Sequence, residues 1–299
     1  MKTRFQIRDL LSLEVEGAEF CALLEPYRVN QETRAPDISL TIAVGHAMPA
    51  DSPSAARCTG RYKSFGWSLT RDSTGSSPRR IVFAAPRPVL AFLAHRMVLM
   101  PLLKQALIAH GGFTIPASVA RNDDEILVFF GRAGAGKTRA LLDAISKKCT
   151  FVADNEIAFL PGWAPFGLFD EIELRRATVK DTAFWQRLTA GQRARLTFCA
   201  IVSLITGRRL NPNLSLPPAA LGLTVDRRQD FKRGTFVVLG EGEGQERLNT
   251  EAIARTVAGY ERWYQGVFGD MLFQDPAGFI GSLETAAREY FHGWIGWRQ

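Results

Sequence analysis

The sequence predicts a mixed α/β fold: a β-rich N-terminal lobe over residues 1–87, then a larger domain over residues 88–299 organised around a glycine-rich loop. Three observations carry this expectation. Short apolar runs separated by turn residues fill the first lobe. A continuous apolar run, Ile126, Leu127, Val128, Phe129 and Phe130, leads straight into glycine, as a buried sheet strand would. Helical periodicity and then a second strand signal follow the glycines.

In the first lobe, residues 38–44 (ISLTIAV) and 81–83 (IVF) are the clearest strands. From Pro88 to His110 the apolar spacing is helical, and Gly111 and Gly112 supply a stop. Pro101 is expected to kink or divide this helix, because it lacks an N–H and crowds the preceding turn. The helix is expected to join the two lobes. After the strand at 126–130, residues 137–147 are helical, with Leu141, Leu142 and Ile145 on one side. Residues 150–153 return to a strand that should end at Asp154. Residues 235–239 (TFVVL) read as another buried strand, and Thr250 as the N-cap of a helix over residues 251–260.

Composition excludes several classes. With 46% hydrophobic and 22% charged residues, the 299-residue chain is neither disordered nor fibrous, and it is long enough to bury a sizeable core. The first twenty residues scatter charge through every apolar run, which argues against a secretory signal. The most apolar stretch, residues 89–109, carries His95, Arg96 and Lys104 and makes a poor membrane span. A cytoplasmic location is expected. Cys21, Cys58, Cys149 and Cys199 lie far apart without metal-ligand spacing and read as reduced thiols. His46, His95, His110 and His292 likewise show no ligand or triad spacing.

The formal charge of +7 favours anionic partners. Part of the excess lies at Arg57, Arg61, Lys63, Arg71, Arg79 and Arg80. Aromatic interleaving there is thin, so a solvated loop or edge-strand face is the preferred reading and nucleic acid is not expected as a partner. Self-association into a homo-oligomer is compatible with the composition.

The chemistry concentrates at Gly131, Arg132, Ala133, Gly134, Ala135, Gly136, Lys137 and Thr138, which fill every constrained position of G-x-x-x-x-G-K-[ST]. A chance match in a chain this long is on the order of one in a hundred. Glycines let peptide N–H groups turn inward around phosphate oxygens, and the following helix presents its positive end to the same anion. The pattern therefore predicts a nucleoside triphosphate, ATP, bound along residues 131–139, from Gly131 through Arg139. Lys137 should neutralise the terminal phosphates, and Thr138 should offer its hydroxyl to Mg²⁺.

Asp154 is the second informative residue. A carboxylate where a strand emerges near the loop could hold Mg²⁺ or accept a proton from an attacking hydroxyl. An aspartate in that position can also be a simple turn or cap.

At this point the chain resembles the HPr kinase-like P-loop kinases, the group that includes HPr kinase/phosphorylase and the kinases found with peptide-modifying gene clusters. The resemblance rests on the lead-in FTIPAS at 113–118, the loop GRAGAGKT, the segment FVADNEIAF at 151–159 and FVVLGEGEGQERLNTEAIA at 236–254, in that order and at about that spacing. The short interval from Lys137 to Asp154 is the best discriminator, and the likeness extends over roughly residues 88–257. It implies a P-loop domain of the HPr kinase and phosphoenolpyruvate carboxykinase-like type that transfers phosphate to a hydroxyl, often a serine, with Asp154 as base. Two departures stand out. Asp154 is followed by Asn155 where many members have a second aspartate, and Pro116, Ala117 and Ser118 stand where many have His-Ala-Ser.

Beyond Asp154, the Gly/Pro/aromatic stretch at 161–169 leads to Asp170, Glu171, Arg175 and Arg176. It could be a lid or specificity loop, although such aromatics more often pack over a core. An arginine of the pair could clamp a transferring phosphate. Two function classes fit these residues. One is an ATP-dependent phosphotransferase acting on a hydroxyl of a peptide, protein or small molecule. The other is a nucleotide-responsive regulatory module that keeps the loop without efficient transfer, a reading to which Asn155 and Pro116 give weight.

Overall fold

The computed structural model describes residues 2–7, 11–17, 28–29, 37–44, 56–62, 65–71, 79–131, 134–207 and 212–239, with 285, 287, 290, 297 and 298. These fall into two units that divide between Gly111 and Gly112.

The first unit is a six-stranded sheet and one interrupted helix. Strands β1 (Lys2–Ile7), β2 (Leu11–Glu16), β3 (Ile38–Val44), β4 (Ala56–Tyr62), β5 (Phe65–Arg71) and β6 (Arg79–Ala85) form a sheet of order β1-β2-β3-β6-β5-β4. Alternation along β3 puts Ile38, Leu40 and Ile42 into the core. The arginine-rich segment includes β4, an edge strand, with Arg57 and Arg61 exposed. The helical stretch belongs to this unit and not to the nucleotide-binding domain anticipated from residue 88 onward. It is divided, as Pro101 requires. Helix α1 (Arg87–Ala94) passes into a wider π-turn over His95–Leu99, and α2 (Met100–Ala109) restarts with Pro101 in its first turn.

The second unit holds a six-stranded sheet of order β10-β9-β7-β8-β13-β14, built from β7 (Phe113–Asn122), β8 (Glu125–Gly131), β9 (Thr150–Phe159), β10 (Phe166–Gly167), β13 (Arg233–Leu239) and β14 (Trp297–Arg298). Strand β7 is antiparallel to both β8 and β9, so these two run in the same direction with β7 between them. Helix α3 (Lys137–Ser146) follows β8 and packs Leu141 and Leu142, both fully buried, against Ala120, Phe129 and Phe151 of the sheet. The short pair β11 (Ile172–Leu174) and β12 (Leu214–Leu216), and the helices α4 (Arg176–Val179), α5 (Phe184–Arg187) and α6 (Ala190–Ile205), complete this core. Helix α6 starts with a capping box in which Thr189 and Gln192 satisfy each other's peptide N–H.

One expectation changes here and one alternative is decided. Strand β9 does not end at Asp154 but continues to Phe159, paired with β7 throughout. The stretch at 161–169 packs over the core, the reading its aromatics favoured over a lid: residues 164–169 are buried, and Phe166–Gly167 adds β10 to the sheet edge. The helix expected after Thr250 lies outside the described residues, as do Cys21, Lys63, His46 and His292. Among the described residues Cys58, Cys149 and Cys199 are free thiols, and no helix is long and apolar enough to cross a membrane.

The start of β9 is fixed by an ionic clamp. Arg121 of β7, 1% exposed, ion-pairs through Nε with Asp226 at 3.3 Å, and its NH2 donates to the Arg228 carbonyl at 2.7 Å. Thr150 Oγ1 donates to Asp226 at 2.9 Å, and Asp226 N donates to the Phe151 carbonyl. Burial opposes charge on Asp226, but hydrogen bonds from Arg228 and Thr150 and the Arg121 charge outweigh it and hold the carboxyl at about 2. A depressed value means stability that is present above the ordinary carboxylate range and lost as pH falls through the folded value. Asp226→Asn is therefore expected to be destabilised at pH 7, with its deficit shrinking between about pH 4 and pH 2, as read by urea unfolding across that range.

Candidate functional site

Directly paired residues of antiparallel strands share a face, so the register Phe129↔Ser118↔Asp154 places Ser118 and Asp154 on the face that carries Phe129. Phe129 packs on α3, and the first turn of α3 consequently lies against Asp154.

Asp154 is 3% exposed. Ser118 Oγ donates to its Oδ1 at 2.5 Å, Thr138 Oγ1 lies 3.2 Å from both oxygens, and the Glu173 peptide N–H donates to Oδ2 at 3.2 Å. Burial, helped by the nearby Glu173 charge and opposed by these donors, raises the carboxyl to about 6.

The loop is shaped by its glycines. Gly136 is the N-cap of α3 with φ 93°, a conformation that disfavours any Cβ. Gly131, the last residue of β8, pairs with Leu239 of β13, and a Cβ on it would stand 2.3 Å from the Leu239 carbonyl oxygen. Arg132 and Ala133 fall outside the described residues. Gly134 and Ala135 complete the turn into the helix, Gly134 also at positive φ.

No side chain caps α3, and its first turn carries Lys137 and Arg139 with no acid. Cations at the positive end of a helix oppose the dipole, an arrangement that an anion in front of the loop would reverse. Lys137 Nζ donates to the Gly131 carbonyl at 2.9 Å. Burial lowers its affinity for the proton, Asp154 raises it, and the charge of Arg175 lowers it again.

Of the residues the sequence singled out, Lys137, Thr138 and Asp154 converge. Arg139 turns aside: its Nε pairs with Asp143 at 3.2 Å on the outer face of α3, and its NH1 reaches the Thr178 carbonyl at 3.4 Å. Asp170 is ion-paired with Arg227, and Glu171 accepts from Ser215 Oγ at 2.5 Å. Asn155 follows Asp154 but is not its equivalent. It adopts φ 78°, and its Nδ2 donates to Glu173 Oε1 at 3.0 Å.

Three further residues belong to the site. Ser118 lies in the lead-in to the loop, where strand alternation alone could have placed it. Glu173 is the polar residue between buried Ile172 and Leu174 of β11, and Asn213 donates to its Oε2 at 2.9 Å while accepting from Arg175 Nε at 2.8 Å. Glu173 and Arg175 share the face of β11 opposite the core.

No family model and no curated protein matches this chain. A small hard cation takes few protein oxygens, and Thr138 Oγ1 with Asp154 offers a hydroxyl and a carboxylate within 3.2 Å of each other, with the Glu173 charge near enough to act on Asp154.

Two outcomes follow. Gly131→Ala is expected to cost about 1–3 kcal/mol in urea unfolding, because the added methyl overlaps a strand carbonyl that cannot move alone. The Asp154 carboxyl should titrate near pH 6 in the metal-free protein, followed by carbon-13 NMR with Asp154→Asn as assignment control. Its raised value means that folding favours the protonated form, so the associated stability is present below the ordinary carboxylate range and is lost as pH rises through about 6. A midpoint near about 4 would contradict the burial of this group.

Proposed function

We propose that this chain is an ATP-dependent phosphotransferase that moves a γ-phosphate to a hydroxyl of a peptide, protein or small-molecule acceptor, as a P-loop kinase of the HPr kinase-like type acting in the cytoplasm. The observation that carries the reading is the buried Asp154 carboxylate beneath Thr138, in the first turn of an uncapped, cation-bearing helix that follows a glycine loop.

The residues divide the work. Peptide N–H groups of the loop and the start of α3 bind phosphate oxygens. Lys137 exchanges its contact with the Gly131 carbonyl for the terminal phosphates. Thr138 and Asp154 would hold Mg²⁺, which supplies charge neutralisation for the phosphates when bound. Arg175, close enough for its charge to act on Lys137 and held by Asn213, supports an arginine clamp at the same place, in preference to Arg176. The acceptor hydroxyl oxygen forms a bond to the γ-phosphorus as the bond to the diphosphate oxygen breaks, and the hydroxyl proton passes to an Asp154 oxygen. Burial, which raises this carboxyl to about 6 in the metal-free protein, favours it as the proton acceptor.

Lys137→Ala is expected to lose Mg–ATP binding and turnover while the ligand-free melting temperature barely moves, since the change removes no core volume. Unchanged affinity in calorimetry would remove the loop from the mechanism. Asp154→Asn should keep most nucleotide binding and lose about 10²–10⁴ in transfer, the ordinary contribution of a general base. Mass spectrometry after incubation with ATP and candidate acceptors is the direct test. Nucleotide binding with no phosphorylated product, from the natural protein across peptide and small-molecule acceptors, would favour the regulatory-module reading.

A further inference from the structure

Asn155 answers two separate demands. Its backbone sits in the left-handed region at φ 78°, inside a strand and paired with Ala117, where asparagine and glycine are tolerated and most residues are strained. Its side chain must donate, because it faces Glu173 Oε1 at 3.0 Å. Glycine meets only the first demand and glutamine only the second. Aspartate fits the backbone but sets a carboxylate against a carboxylate. The Glu173 side chain is held from the other side by Asn213 Nδ2 at 2.9 Å, and its own peptide N–H reaches Asp154 Oδ2 at 3.2 Å.

We propose that Asn155 and Glu173 are a coupled pair of positioning residues for Asp154: the Asn155 amide pins the Glu173 side chain, and the pinned residue delivers its peptide N–H to the Asp154 carboxylate. The second acid of this site stands on β11, and an amide at 155 is what allows it to stand there. This rests on the reading of Asp154 as the base, but the positioning itself can be read without any turnover.

The pair can be tested by exchanging donor and acceptor in the full chain. Asn155→Asp and Glu173→Gln singly should each lower kcat for Mg–ATP turnover, measured as ADP release, by about 10–100-fold, the usual effect of losing a partner that orients a reacting group. The KM for ATP should stay within about twofold, since the hydrogen bonds of Asn155 and Glu173 among the described residues go to each other, Asp154 and Asn213 rather than to the loop. The double variant Asn155→Asp/Glu173→Gln restores a hydrogen bond with reversed polarity and should recover kcat to within about threefold of the natural protein, the signature of direct coupling. In parallel, proton–nitrogen NMR of the metal-free protein should show the Glu173 amide proton displaced in Asn155→Asp and returned in the double variant. A double variant as impaired as the worse single one, with the Glu173 amide still displaced, would overturn the pairing. Where the natural protein shows no turnover, the amide shifts alone decide: their return upholds the pair while the kinase reading falls, and their failure to return overturns the pair.

Discussion

A carboxylate taken out of water must find donors or give up its charge, and the second unit is arranged around one such group. Among the described residues Asp154 finds neutral donors: a hydroxyl from β7, a hydroxyl from α3 and a peptide N–H from β11. Three elements must therefore meet at one point for the group to be tolerated at all. The antiparallel β7 between β8 and β9 supplies Ser118 from the middle of the sheet. Phe129, Leu141 and Leu142 press α3 onto the same face, which brings Thr138 down. The pairing of β11 with β12 and the Asn155 contact to the Glu173 side chain together hold Glu173 at that point.

The same geometry leaves positive charge facing outward. Lys137 is half-buried at the end of a helix whose dipole repels it, resting on a carbonyl that another cation-binding partner could replace. Stability alone would select an acid at this position. The cost is consistent with a site that is completed by an anion, and it gives the proposed phosphate contact a physical reason independent of the sequence motif.

How much of this was legible varies with how local the cause is. Strand Ile38–Val44, the strand leading into Gly131 and the helix from Lys137 to Ser146 are written in periodicity and appear as read. The π-turn before Pro101 follows from a missing N–H. In strand β9 the polar residues Asp154, Asn155 and Glu156 interrupt the apolar run, so periodicity alone ends it at 153. It continues because β7 pairs with it on both sides of the interruption and Ser118 satisfies the buried charge. Glu173 and Asn213 carry no local signal, since their roles depend on contacts across 18 and 40 residues of chain. The aromatic stretch at 161–169 left a lid open as an alternative to core packing, and packing prevails: Phe166, Leu168 and Phe169 are buried, because the sheet edge beside β9 would otherwise expose apolar surface.

Strand β9 also carries its own control. Asp226, against its first residues, and Asp154, further along, are the same side chain in surroundings that drive them apart, to about 2 and about 6. Both are penalised by burial. Asp226 is met by Arg121 and Arg228, whose full charges overcome the penalty and make it a stabilising clamp. The donors that Asp154 receives from the described residues are neutral, and the Glu173 charge opposes its own, so the penalty prevails. A carboxylate needed only for structure would be expected to resemble the first case. The second holds its charge loosely, next to a hydroxyl and an uncapped helix end, and that is the condition under which a carboxylate can accept a metal or a proton during a reaction. The clamp at one end of the strand anchors the frame, and the cost of burying a weakly held charge is confined to the other.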